Sequence, residues 1–125
     1  MINAESIIYF IIPEMMAVLF VLIGYLMVKT PPGKPNPYIG YRTSSTRKSQ
    51  DSWDYGQKIC GKMFLKVGAI LIPLLLLINV SLNVIGGLES LVCMIITMVI
   101  ELVVLIVGVI YIEREMREYN KSKGL

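Results

Sequence analysis

Three long apolar runs, almost free of charge, leave this chain little choice of solvent. Residues 7–28 hold one charged side chain (Glu14), residues 67–88 hold none, and residues 90–112 hold one (Glu101). Each run is 22 or 23 residues long, about 33 Å as a helix at roughly 1.5 Å per residue. A hydrocarbon core about 30 Å thick takes about 20 apolar residues per crossing. Three crossings use 67 of the 125 residues. The expected fold is therefore an all-α integral membrane protein with three transmembrane helices, and a globular cytosolic enzyme is excluded. No Lys or Arg precedes Lys29, and the first run is longer than the short apolar stretch of a secretory signal. It is expected as a retained helix.

The basic residues set the expected topology. Eight of the 12 Lys and Arg lie in residues 29–66 and the other four in residues 114–123. Short loops rich in Lys and Arg stay cytoplasmic. The first loop and the C-terminal tail are then both inside, which three crossings require independently. The N-terminus and the turn around Gly86 and Gly87 are expected outside, in a multi-pass protein of the bacterial cytoplasmic membrane.

One domain is expected, divided as helix 1 (about 7–28), a cytoplasmic loop (29–62), helix 2 (about 64–86), helix 3 (about 90–112) and a cytoplasmic tail (113–125). Residues 30–37 contain four prolines and a glycine, which end helix 1 by Thr30. Ser49 suits the N-cap of a short amphipathic helix over about 50–62. There Trp53, Gly56, Cys60, Met63 and Phe64 recur at spacings of three and four, with Asp51, Asp54, Lys58 and Lys62 on another face. Such a segment either lies flat among the headgroups or runs on into helix 2, with Gly56 and Gly61 permitting a bend. The charge-alternating tail reads as a solvated extension of helix 3 by a turn or two.

Several chemistries are excluded. The chain has no histidine, which removes Ser-His-Asp and Cys-His activation and the commonest metal ligand. Cys60 and Cys93 belong to opposite leaflets, too far apart for a disulfide or a shared zinc ion. No metal, cofactor or catalytic residue is expected, nor direct nucleic-acid binding. The basic loop is matched instead to anionic lipids of the inner leaflet.

Polar groups inside the apolar runs are the other candidates. By helical rise Glu14, Asn79 and Glu101 share the outer half of the bilayer, where an ionised carboxylate is costly and faces a bundle interior or water. Either the three line a small polar cavity open to the outside, receiving a proton, a cation or a basic peptide, or they join helices by hydrogen bonds. Gly68, Ala69 and Gly108 are positioned for close helix approach, although no GxxxG occurs.

The stretch Asn36, Pro37, Tyr38, Ile39, Gly40, Tyr41, Arg42, Thr43, followed by Ser49, Trp53 and Gly61, resembles the signature of the SdpI family, the sporulation-delaying-protein immunity family. Gln57 stands where the family pattern has an asparagine. The founding members are longer, so this chain resembles a short single-module form. The resemblance implies protection of a bacterium against an exported toxic peptide and, for signalling members, retention of a cytoplasmic repressor at the membrane. In that setting Gly40 suits a turn with positive φ or a close approach to the headgroups. Arg42 offers a five-donor fork to a lipid phosphate or partner carboxylate, and Trp53 an interfacial anchor. The alternative reading is a small proton- or cation-conducting subunit using Glu14 and Glu101.

Overall fold

The computed structural model describes residues 3–125. Among them the chain is helical, with α1 at Ala4–Lys29, a single 3-10 turn at Thr46–Lys48, α2 at Gln50–Val84 and α3 at Ser90–Ser122. All three helices are long and apolar enough to cross a membrane. Each starts and stops for a local reason. The Asn3 side chain accepts from the Ser6 amide at 2.8 Å and caps α1, and Pro31 and Pro32 follow its end at Lys29. Ser49 is the N-cap of α2, its hydroxyl accepting from the Ser52 amide at 3.0 Å. Gly87, with φ of 64°, reverses the chain before α3.

The 35 residues of α2 form one unbroken helix, about 52 Å long. The separate amphipathic helix over 50–62 is not found: its residues are the first turns of α2. Gly56 and Gly61 do not act as a hinge, because both are packing positions. A Cβ on Gly56 would meet the Thr46 side chain at 2.5 Å, and one on Gly61 would meet Met27 at 2.9 Å. The apolar face that headgroups were expected to cover is covered by protein instead. Trp53 is fully buried, not anchored in the interface.

The tail also departs from expectation. Residues 113–122 continue α3 by nearly three turns, and Ile112, Met116 and Asn120 on one face are buried. These turns pack on the start of α2, where Met27, Cys60, Ile112 and Met116 form a core cluster. Tyr55 stacks on Tyr119 with ring centroids 4.1 Å apart. A solvated helix end would not bury that row.

Within the bilayer region α1 and α2 run antiparallel in close contact. A Cβ on Gly24 would lie 2.4 Å from the Leu65 amide nitrogen, and one on Gly68 would lie 3.0 Å from the Ala17 carbonyl oxygen. Gly61 and Gly68 are seven residues apart, two turns on one face. Gly108 faces the Met63 side chain, whereas Ala69 is exposed. Ala17, Phe20, Leu71 and Leu75 make the second core cluster, with Phe20 stacked on Phe64 at 5.4 Å. Few residues of each apolar run are buried by protein, and the apolar side chains left exposed are for lipid to cover.

Candidate functional site

The polar residues of the first loop converge on the junction between the start of α2 and the end of α3. Asn36 opens the arrangement with a side-chain turn. Its Oδ1 accepts from the amides of Tyr38 and Ile39 at 2.9 and 2.8 Å, and its Nδ2 donates to the Lys34 carbonyl. Gly40 follows with φ of 99°, and a Cβ there would meet Gln57 Oε1 at 2.6 Å. Only glycine fits on both counts.

That closeness lets Gln57 grip the backbone of Tyr41 at two points. The Tyr41 amide donates to Gln57 Oε1 at 2.7 Å, and Gln57 Nε2 donates to the Tyr41 carbonyl at 2.8 Å. The side chain is wholly buried, so both of its dipoles are satisfied by one residue. Trp53, one turn earlier on α2, donates from Nε1 to the Pro32 carbonyl at 2.8 Å. Gln50 donates to the Gly33 carbonyl at 2.7 Å. The prolines that end α1 are thereby tied to the first turns of α2.

The other half of the junction belongs to α3. The Tyr41 hydroxyl donates to Glu113 Oε1 at 2.7 Å, and Ser45 Oγ donates to Oε2 at 2.8 Å. Asn120 Nδ2 donates to the Ser45 carbonyl at 2.9 Å, while its Oδ1 accepts from Ser52 Oγ at 2.5 Å. Thr46 closes the 3-10 turn by donating to the Tyr41 and Thr43 carbonyls. Thr43 and Ser45 share a hydroxyl–hydroxyl bond of 2.7 Å. Burial alone would raise the Glu113 carboxyl, but the hydrogen bonds from Tyr41, Ser45 and Thr43 and the nearby Arg117 charge together lower it below the usual carboxylate range. The Tyr41 phenol moves the opposite way, raised by burial and by its bond to that carboxylate.

Asn36, Gly40, Tyr41, Thr43, Ser49, Trp53 and Gln57 therefore belong to one hydrogen-bonded plate, and Gly61 lies one turn below Gln57 against α1. Arg42 is exposed and donates one guanidinium nitrogen to the Pro37 carbonyl. Sequence reasoning missed Glu113, Asn120, Ser45 and Thr46. A signal existed for one of them, Asn120: Gly108, Ile112, Met116 and Asn120 repeat at four-residue spacing through a charged tail.

The intramembrane candidates are arranged differently. Asn79 and Glu101 are buried, and Asn79 Oδ1 and Glu101 Oε1 lack hydrogen-bond partners among the described residues. Glu14 is half-buried in a groove with Phe10, Met15 and Leu76. Glu101 lines a second groove, between α1 and α3. The two grooves have no lining residue in common. Asn83 caps the turn between α2 and α3, donating to the Leu88 carbonyl at 2.9 Å.

The sequence profile of the SdpI/YfhL protein family matches residues 33–112, from the start of the plate to the last residue before Glu113. No curated protein and no solved structure matches the chain.

Proposed function

Because the chain belongs to the SdpI/YfhL protein family, we propose that it is a non-enzymatic immunity and signal-relay protein of the bacterial cytoplasmic membrane, protecting its cell against an exported peptide toxin. The observation that carries this reading is the plate. Its polar groups are spent on one another and on two helix ends, as a mechanical coupling needs and as a reaction centre does not. A toxin meeting the outer half of α1 and α3 displaces α3, and Glu113 and Asn120 carry that displacement into the loop. The exposed Arg42, Arg47, Lys48, Lys58 and Lys62 then present a cytoplasmic surface to anionic lipid or to a repressor protein.

The proposed topology, with the plate and both the loop and the tail inside, rests on the Lys and Arg distribution. Survival of a toxin-sensitive strain expressing the chain tests the proposal. Arg42→Ala and Trp53→Ala abolish protection while membrane expression persists; full protection by both variants rejects the reading. A second reading, a proton- or cation-conducting subunit, draws on the unpartnered carboxyl of Glu101. It requires ion flux in proteoliposomes that Glu101→Gln removes.

A further inference from the structure

The groove that Glu101 lines is the feature the plate leaves unexplained. Met16 and Phe20 of α1 form one wall, and Ile95, Met98 and Leu102 of α3 form the other, around about 430 Å³. From Ile95 to Leu105 it follows α3 for ten residues, about 15 Å. Its walls are apolar except at Glu101, whose side chain is 4% exposed with one oxygen unpartnered. A buried acceptor without a donor is costly, more so in lipid than in water. Asn79 leaves a second such oxygen on α2.

The chemistry of the missing donor follows from charge and depth. Residues 3–28 and 67–112 contain Glu5, Glu14, Glu89 and Glu101 and not one Lys or Arg, so a cationic donor suits this half of the molecule. Glu101 lies eleven residues beyond Ser90, about 17 Å below the turn and near the middle of a core about 30 Å thick. Phospholipids carry their donors in the headgroups and present only hydrocarbon at that depth. A membrane-inserted peptide helix carries donors at any depth. Its side-chain ridge also matches a groove running along two helices, and Met16 and Met98 adapt to different ridges.

We infer that the groove between α1 and α3 docks a membrane-inserted peptide helix that presents a donor, best a lysine ammonium, to Glu101. This deepens the immunity reading and rests on it for the identity of the peptide. The probe is a synthetic Leu/Ala helix of about 20 residues with a central lysine, compared with the same helix carrying a central leucine. Association with the full chain in phosphatidylcholine vesicles is read by energy transfer. The lysine probe binds about three- to tenfold more tightly than its control. Glu101→Gln removes that preference, and Met98→Trp blocks both probes by filling the groove. Glu89→Gln, at the turn, leaves the preference in place.

Equal binding of the two probes, or a preference that survives Glu101→Gln, overturns the assignment. Equal binding that Met98→Trp still blocks means the groove accepts any apolar helix, including a second copy of this chain, and also overturns it. Lysine preference without cell protection rejects immunity and leaves the groove standing. Protection that Glu101→Gln does not weaken rejects the groove and leaves immunity standing.

Discussion

The bond between the Tyr41 hydroxyl and Glu113 joins residues 72 positions apart, and removing it measures how firmly the loop is fastened to α3. Tyr41→Phe deletes one donor to a charged acceptor, a bond worth about 1.5–3 kcal/mol when buried. Glu113 is only half-buried and keeps Ser45 as a partner, so water recovers part of the loss and about 1 kcal/mol remains. That corresponds to about a fivefold rise in local opening, since about 1.4 kcal/mol is tenfold. The assay is amide hydrogen exchange over residues 41–47 in lipid nanodiscs, where local opening is read directly. The spans should not change. A cycle with Glu113→Gln supplies the coupling energy, and the double variant is expected to lose less than the sum of the singles.

The same carboxylate makes the fastening depend on pH. Glu113 is held below its ordinary range in the folded chain, so its contribution is complete above the unfolded carboxylate range and is lost as pH falls through the lowered folded value. Opening over residues 41–47, read as exchange relative to the intrinsic amide rate at each pH, therefore rises in acid, and Glu113→Gln flattens that dependence. Single variants without effect on exchange, or an effect spread evenly over α1 and α2, would refute the fastening of the loop to α3 through Tyr41 and Glu113.

Three further outcomes follow from packing. Gly24→Ala places a Cβ against the α2 backbone and costs about 1–3 kcal/mol, read as a lower melting temperature in detergent, whereas Gly33→Ala, with open space around it, is silent. Trp53 is the single tryptophan and fully buried, so its emission is blue-shifted and unaffected by quenchers at headgroup depth; quenching there would restore the interfacial placement. Cys60 and Cys93 are free and buried, so neither reacts with maleimide until the bundle is unfolded.

Much of the plate could be read as a list of residues but not as a structure. The motif residues from Asn36 to Gly61 are mostly those that the structure joins in the plate, Arg42 excepted, and Gly40 has a φ of 99°. Trp53 was assigned to the interface because a tryptophan opposite lysines on a helix looks the same whether lipid or protein covers it. The cover comes from residues 32–46 and 112–120, distant in sequence from residues 50–62. Gly24 escaped notice for a related reason: its partner is the α2 backbone at Gly61 and Leu65, and no motif within α1 signals a contact supplied by another helix.

Hydropathy alone determined that this chain has three helices solvated by lipid, because the transfer of some 20 apolar residues outweighs every competing term. Proline and capping chemistry determined where α1 ends and α2 begins, since these act over three or four residues. Only the tertiary structure decided that residues 50–62 continue α2 without a break, that the tail is a packed element, and that Glu113 and Asn120 hold the loop. Those outcomes depend on which surfaces meet. An amphipathic face specifies that it must be covered, and the partner that covers it is chosen by the packing of the whole chain.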